Sequence, residues 1–420
     1  MKKLYVYADF DWLKEIELIG ELGYESLRGS DSYCFTFSKE WLAQHGDLFL
    51  SDDLNNYPGQ QYTQPGKDIF GCFSDALPDR WGRTLLFRRE QIEAVEEKRP
   101  IRRLSSFDFL TGIDDFSRMG GFRFKEDPNG KFINVSESLR IPPLTDIREL
   151  IAASEEIEKS EEENILPDRK WVVQLVQPGS SLGGARPKAN VIDTDKTLYV
   201  AKFPSRKDDY DTGLWEHFSH LLAIKAGINA AKTKVLTTGD QYHTLLSKRF
   251  DRTKEGKRIH FASAMTLLGL EDGDNATNEH GYLDIVDFIL QNCTDVECNL
   301  QELYRRVAFN ICIGNSDDHF RNHGFLLTTK GWILSPAYDM NPTLNEYQSL
   351  LISADSNKAD LSILLDACED YMLNRKTAEK IVSEVIDAVK NWREVAVRLG
   401  ISKREMDMFA GVLDERCITK

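Results

Sequence analysis

The residues best suited to catalysis lie in the last third of the chain, where carboxylates and amides recur between apolar stretches. Asp317 is followed five residues later by Asn322, and Asp339 comes after two further apolar segments. Phosphoryl transfer needs a carboxylate that holds the attacking hydroxyl and oxygen ligands that hold Mg²⁺ on the phosphates. Asp317 therefore fits the catalytic base, and Asn322 and Asp339 fit the Mg²⁺ ligands. Any one of these acids could instead cap a polar turn, but the set together favours a metal site.

The sequence between Asn322 and Asp339 predicts how these two residues meet. Two apolar stretches flank Lys330-Gly331, which we interpret as the turn of a β-hairpin. That turn places Asn322 opposite Asp339, and facing residues on paired strands lie about 4.5–5.5 Å apart. Pro336 ends the ladder early, so the predicted pairing is approximate.

A glycine-rich segment, SSLGGARPK at residues 180–188, lies between predicted strands. The adjacent Gly183 and Gly184 let backbone amides approach phosphate oxygens, and the serines and Lys188 add further donors. The segment is not a Walker A loop, because the pattern GxxxxGK[ST] is absent. We predict that it contacts nucleotide phosphates; an ordinary hairpin turn is the alternative.

Lys202 is the next candidate, because it ends the apolar strand LYVAK. Kinases place a strand lysine against the α- and β-phosphates, often held by a carboxylate on a helix. Glu216, early in the next predicted helix, is the candidate partner, and a surface lysine at a strand end is the alternative. A further predicted strand then leads into Arg249. By its order in the chain, the backbone from Ser247 to Arg249 is expected at the adenine edge.

The elements that must position these residues form an α+β pattern. Strands are predicted at residues 3–8, 32–38, 171–176, 189–192, 197–203, 232–237 and 243–248. Helices are predicted at residues 40–45, 79–97, 155–164, 214–226, 283–291, 300–313, 377–397 and 403–413. We therefore predict an N-terminal α+β subdomain at 1–110, a β-rich lobe at 111–250 and a mainly helical lobe at 251–420. A small β lobe followed by a helical lobe is the two-lobed plan of protein kinases.

Composition excludes several classes of protein. The 53 basic and 68 acidic side chains give a net charge of −15, which is unfavourable for binding DNA without a partner protein. Local basic groups remain, notably Arg80, Arg83, Arg88 and Arg89. No apolar run approaches the roughly 18 residues of a membrane span, and acids interrupt the N-terminus before any signal-like stretch. The seven scattered cysteines suggest no zinc site. We expect a cytoplasmic protein.

Taken together, the motifs resemble the HipA family of toxin kinases. The matching segments are SxGGxxPK at 181–188, the lysine before FP at 202, RFDR at 249–252, NxDxHxxN at 315–322, YD at 338–339 and FSDALPDRWGR at 73–83. The resemblance extends over essentially the whole chain, and the motifs occur in the family's order. It implies a serine/threonine protein kinase that uses ATP and Mg²⁺.

Carried over by position, the resemblance assigns a role to each site residue. Asp317 corresponds to the catalytic base, and Asn322 and Asp339 to the Mg²⁺ ligands. The implied nucleotide contacts come from Ser181, Gly183, Gly184, Lys188, Lys202, Ser247, Arg249 and His319. Ser181 falls at the family's regulatory autophosphorylation site, with the adjacent Ser180 as the alternative. A phosphate there adds about two negative charges, which cannot share a site built for triphosphate.

The resemblance also implies partners. The substrate would be a protein, since the family's targets include translation factors such as an aminoacyl-tRNA synthetase. A small helix-turn-helix antitoxin would come from a separate chain. Two other functions stay open: a small-molecule kinase, and a kinase-shaped binding module that acts as a repressor with an antitoxin. The presence of Asp317, Asn322, Asp339 and Lys202 together argues against an inactive module.

Overall fold

The computed structural model describes residues 1–27, 30–64, 66–135, 141–176, 184–239 and 241–417. Its strands are β1 Lys2–Ala8, β2 Glu17–Leu27, β3 Ser30–Phe37, β4 Gln60–Tyr62, β5 Phe122–Lys125, β6 Lys188–Ile192, β7 Leu198–Lys202, β8 Thr233–Leu236, β9 Thr244–Lys248, β10 Phe261–Ser263, β11 Gly324–Thr328 and β12 Gly331–Leu334. Its α-helices are α1 Lys39–His45, α2 Arg80–Glu96, α3 Ser106–Gly112, α4 Ile147–Glu162, α5 Arg169–Val176, α6 Thr212–Lys225, α7 Ala264–Leu267, α8 Tyr282–Asn292, α9 Val296–Ile313, α10 Leu361–Asp366, α11 Arg375–Val389, α12 Trp392–Leu399 and α13 Lys403–Glu415. The predicted α+β class is confirmed.

The chain groups into two compact units. The first comprises Met1–Lys207, Lys248–Ala262 and Leu327–Thr329, and the second comprises Asp208–Ser247, Ser263–Leu326 and Lys330–Lys420. Each unit is therefore built from segments that are distant in sequence. The division into three parts at residues 110 and 250 stays a prediction.

The first unit contains an antiparallel sheet with the strand order β4-β3-β2-β1-β5. Strand β1 pairs with β2 on one side and β5 on the other. Leu4, Val6 and Ala8 of β1 are fully buried, at the alternate positions that face the core of a half-buried sheet. The strand expected at residues 3–8 is confirmed, and it lies inside the sheet rather than at its edge.

Residues 171–176 were expected to form a strand, and that prediction is wrong because they belong to the helix α5. Val172, Leu175 and Val176 are its buried residues. Their spacing of three and four residues follows the helical repeat, whereas a half-buried strand would bury alternate residues. Short apolar runs allow both interpretations, and packing against α4 favours the helix.

The second unit is mainly helical, with α9 at its centre. Leu303, Val307 and Ile311 of α9 are fully buried, and α11 packs along this helix. The single helix expected at residues 377–397 is two helices. The helical hydrogen bonding is interrupted between Val389, where α11 ends, and Trp392, where α12 begins. Asn391 is the N-cap of α12, a residue type that favours helix starts.

Candidate active site

The predicted catalytic loop begins where α9 ends. Gly314 is the C-cap of α9 and has a φ of 75°, in the left-handed region that glycine enters without strain. A Cβ atom at this position would lie 2.3 Å from a methyl carbon of Val412. The backbone conformation and the close packing thus both require glycine where the chain leaves the helix towards Asp317.

The hairpin after this loop has a different register from the one predicted. Strands β11 and β12 are joined by Thr329–Lys330, not by Lys330-Gly331. The Ser335 amide donates to the Gly324 carbonyl at 2.8 Å, and continuing that register places Ala337, rather than Asp339, opposite Asn322. The predicted turn is therefore wrong by one residue. Gly331 instead begins β12 with a φ of 133°.

Hydrogen bonds between two loops, rather than strand pairing, join the catalytic segment to the segment around Asp339. The Thr343 amide donates to the Gly314 carbonyl at 2.9 Å. The Ser316 and Thr343 hydroxyls lie 2.5 Å apart. The Asn341 amide donates to the side-chain oxygen of Asn315 at 3.4 Å. These bonds fix the loop that carries Asp317 beside the loop that carries Asp339.

The adjacent acids Asp317 and Asp318 have different environments. Asp318 is buried, and one of its carboxylate oxygens accepts hydrogen bonds from Tyr282, Asn310 and His323, each at 2.7 Å. Burial opposes its charge, but the electrostatic interaction and hydrogen bond with His323, helped by the Tyr282 hydrogen bond, outweigh burial and lower the pKa of Asp318. Asp318 therefore holds the loop in place through these hydrogen bonds.

Asp317 is open to solvent, and its carboxylate accepts no hydrogen bond from the part of the chain that the structure describes. Partial desolvation raises its pKa, His319 opposes that shift, and the charges of Asp339 and Asp318 add to it. A carboxylate with an elevated pKa and free lone pairs is suited to accept a proton. The electrostatic influence of Asp339 shows that these two acids lie near each other.

Asn322 is buried, and its orientation suits a cation ligand. Its side-chain N–H donates to the Asp317 carbonyl at 3.0 Å. Its side-chain oxygen is buried and accepts no hydrogen bond from the described residues. Buried acceptors are nearly always satisfied, so this oxygen has room for a partner such as a water or a cation. The residues present thus fit Mg²⁺, which Asn322 and Asp339 would hold through their oxygens; this ligand role stays a prediction.

Asn341 is a site residue that belongs to none of the motifs identified in the sequence. Its side-chain N–H groups lie 3.3 Å from an Asp339 carboxylate oxygen and 3.5 Å from a Glu216 carboxylate oxygen. Its own side-chain oxygen is buried and unsatisfied among the described residues. Asp339 has a φ of 58°, a left-handed conformation that Asp and Asn tolerate better than most residues. The available signal was an amide two residues after the metal-ligand candidate.

The two candidate phosphate lysines are cross-strand neighbours in the first unit. In the β6–β7 hairpin Lys188 lies directly opposite Lys202, so their side chains share one face. Two like charges in such a pair disfavour the hairpin unless an anion lies nearby. Lys188 is buried, and its ammonium lies 3.1 Å from a carboxylate oxygen of Asp79. No motif connects Asp79, the N-cap of α2, with Lys188 in the sequence.

The other predicted nucleotide contacts lie partly inside and partly outside the described residues. Ser180, Ser181 and Gly183 lie outside the described residues, whereas Gly184 is described and its carbonyl accepts from the Trp81 amide at 3.4 Å. Ser247 lies in β9 opposite Thr233, and His319 has a buried Nδ1 with no partner among the described residues. Their roles in nucleotide binding stay predictions.

Arg249 has a structural role in the first unit. Its guanidinium pairs with Asp251 and donates to the side chain of Asn190 at 2.8 Å and the carbonyl of Ser117 at 2.6 Å. Its amide donates to the Leu198 carbonyl at 2.9 Å. A contact between Arg249 and a nucleotide stays a prediction.

Comparison with known proteins identifies the family. The model of the HipA-like C-terminal domain matches residues 180–393, just over half of the chain, and the model of the HipA N-terminal domain matches residues 12–107. The chain belongs to the HipA family. The HipA resemblance inferred from the motifs is thereby confirmed.

Individual relatives agree with this assignment. A HipA serine/threonine-protein kinase toxin of Shewanella oneidensis is 25% identical over 349 residues, which cover 77% of this chain and 72% of that protein. A putative kinase of Haemophilus influenzae is 28% identical over 181 residues, 39% of this chain, and the match spans about half of that protein (52%). The HipA fold is shown by the structure of the Shewanella oneidensis HipA, HipB and operator DNA complex. That match has a TM-score of 0.68 at 17% identity and covers 99% of this chain and 96% of the matched chain.

Among the described residues, no group of three or more His, Cys, Asp or Glu side chains could hold a metal ion. The site proposed from Asn322 and Asp339 contains one amide and one carboxylate, so it is not such a group. No helix among these residues is long and apolar enough to cross a membrane.

Proposed function

We propose that this HipA-family chain is a serine/threonine protein kinase that transfers the γ-phosphate of ATP to a protein. The observation that carries the proposal is the grouping of Asp317, Asn322 and Asp339. One carboxylate is left free to accept a proton, and one buried amide oxygen is left free to accept a cation. Lys202, directly opposite the Asp79-paired Lys188, supplies positive charge suited to phosphates.

The proposed step assigns a separate task to each residue. Asp317 takes the proton of a serine or threonine hydroxyl as the hydroxyl oxygen bonds to the γ-phosphorus and the bond from that phosphorus to the leaving ADP oxygen breaks. Asn322 and Asp339 would hold Mg²⁺, which neutralises charge on the phosphates when bound. Lys202 orients the phosphates, and Asp318 keeps the loop in place.

Regulation and partners belong to the same proposal. Autophosphorylation at Ser181 or Ser180 would switch the kinase off, because a phosphoserine cannot share a site meant for triphosphate. A small helix-turn-helix antitoxin on a separate chain would be its partner. The Shewanella relative of this fold was solved with HipB and operator DNA.

The proposal is tested by incubating the full chain with γ-labelled ATP, Mg²⁺ and a bacterial lysate. Label is expected on Ser180 or Ser181 or on a lysate protein, and EDTA should abolish it. Asp339→Asn should remove it too, since asparagine keeps the left-handed conformation but loses the charge. Label found only on a small molecule would indicate a small-molecule kinase, and no label at all would favour a binding module.

Replacing Asn341 by alanine is expected to weaken metal binding about tenfold or more. Its amide orients Asp339, and losing a partner that orients a metal ligand costs about 10- to 100-fold in affinity. Mn²⁺ binding followed by electron paramagnetic resonance measures the effect without relying on activity. Asn345→Ala is the matched control, because Asn345 donates to Ser316 rather than to Asp339. Equal Mn²⁺ affinity in both variants would refute a role for Asn341.

A further inference from the structure

A cavity of about 510 Å³ in the first unit is lined by an unusual number of arginines. We call it the α2 pocket. Its lining includes Arg80, Arg83, Arg88 and Arg103, the ring of Phe109 and a single acid, Glu161. Arg83 and Arg88 follow Arg80 on α2 by three and eight residues, which places all three on one helix face. None of these residues belongs to the kinase site proposed above.

Three of the pocket's arginines, Arg80, Arg88 and Arg103, are poorly neutralised by the residues that the structure describes. No ion pair is formed by Arg80 or Arg103, both exposed, with any residue that the structure describes. Arg88 lies 3.7 Å from Glu161, and its Nε is buried without a hydrogen-bond partner among the described residues. A buried guanidinium N–H without an acceptor is costly, so Arg88 has an unused donor that an acceptor in the α2 pocket would satisfy.

Neighbouring arginines outside the pocket show the opposite pattern. Arg99 and Arg102 both bind the buried carboxylate of Glu90. The hydrogen bond from Arg99 outweighs burial and helps lower the pKa of Glu90 to about 2. The chain therefore neutralises the arginines that stabilise the fold and leaves those of the α2 pocket in excess over acids.

The pocket's shape favours a compact anion over a nucleic acid. Arg83 is held over the Phe109 ring at 5.1 Å, and its Nε donates to the Pro78 carbonyl at 3.2 Å, so this guanidinium is preorganised. One guanidinium group can donate two parallel hydrogen bonds to two oxygens of the same phosphate. Nucleic acids need basic groups spread along a backbone, whereas here four converge on one cavity in a chain of net charge −15.

We propose that the α2 pocket binds a phosphate monoester dianion, the group carried by a phosphorylated serine or threonine. Arginine clusters are the general means of recognising such groups in proteins. A pocket of this kind would let the chain retain a phosphorylated protein, either its own product or a substrate phosphorylated beforehand. That biological use rests on the proposed kinase function, but the binding itself does not.

The test uses the full-length chain, treated with phosphatase and held in EDTA without ATP. Fluorescence anisotropy measures binding of a labelled alanine peptide that contains one phosphoserine. Arg80→Gln with Arg103→Gln should weaken binding at least tenfold, and these exposed side chains can change without disturbing the fold. Arg83→Gln with Arg88→Gln should do the same. Arg89→Gln is the control, because Arg89 pairs with Glu93 at 3.7 Å and does not line the pocket.

The source of the phosphate is distinguished by competition. Displacement by inorganic phosphate at the same concentrations as unlabelled phosphopeptide would show a pocket for the free ion as well as the ester. Selectivity for the phosphopeptide would place the source of the phosphate in a protein. Equal binding of the unphosphorylated peptide, stronger competition by a DNA or RNA oligonucleotide, or equal loss in Arg89→Gln would overturn the proposal. Because no ATP is present, a failure here is distinct from a failure of the kinase function.

Discussion

Asp317→Ala is expected to reduce phosphoryl transfer by about 10²- to 10⁴-fold, the usual contribution of a positioned general base. The same change at the neighbouring position, Asp318→Ala, should act mainly on stability. Asp317 is solvent-exposed, and its carboxylate accepts no hydrogen bond from the described residues. Its replacement therefore removes the proposed proton acceptor without removing a structural hydrogen bond. Initial rates with labelled ATP, measured beside thermal unfolding curves, separate the two effects.

Asp318→Ala is the informative control because it leaves three buried groups, on Tyr282, Asn310 and His323, without their common acceptor. An unsatisfied buried donor costs about 1–3 kcal/mol, so the expected loss of unfolding free energy is on the order of 3 kcal/mol. Should Asp317→Ala unfold the chain while Asp318→Ala leaves its stability intact, our division of roles between the two acids would be wrong.

Asp251→Ala is expected to destabilise the first unit by about 3–5 kcal/mol, the usual consequence of removing one partner from a buried ion pair. Asp251 is fully buried and binds both Arg249 and Arg252, and it accepts from the Gly120 amide at 2.9 Å. Its removal leaves two largely buried guanidinium groups short of their counter-charge. Urea unfolding at pH 7 measures the loss.

Glu126→Gln is the control for that change, because Glu126 is an exposed acid of the same unit. It should shift the unfolding midpoint by little, as surface substitutions usually do. Equal stability of Asp251→Ala and the unchanged chain would show that the buried cluster contributes nothing to folding.

The contribution of Asp251 should also depend on pH. Burial alone would raise its pKa, but the charges of Arg249 and Arg252 outweigh burial, and the pKa of Asp251 is lowered. A lowered folded-state pKa gives stability that is present above the unfolded-state pKa of about 3.9 and is lost as pH falls below it. The difference between the unchanged chain and Asp251→Ala should therefore be constant near pH 7 and shrink below about pH 4.

Periodicity and residue type identified most elements correctly and failed where packing decides. The buried positions of β1 and α9 repeat regularly, so their sequences predict them. Residues 171–176 were misassigned because a six-residue apolar run fits both a strand and one side of a helix. The β11–β12 turn was displaced by one residue because Lys330 with Gly331 has a typical turn composition, whereas the observed register uses Thr329–Lys330.

The sequence by itself determined which residues are candidates for chemistry, because Asp317, Asn322, Asp339 and Lys202 belong to motifs whose order and spacing can be read directly. Only the tertiary structure decided that Asp318 rather than Asp317 is held by side-chain hydrogen bonds from the described residues, since its three donors come from α8, α9 and the loop after it. Likewise, only the fold joined Asp79 to Lys188. Hydrogen-bond partners distant in sequence leave no local pattern, so the charge state and freedom of a side chain are tertiary properties.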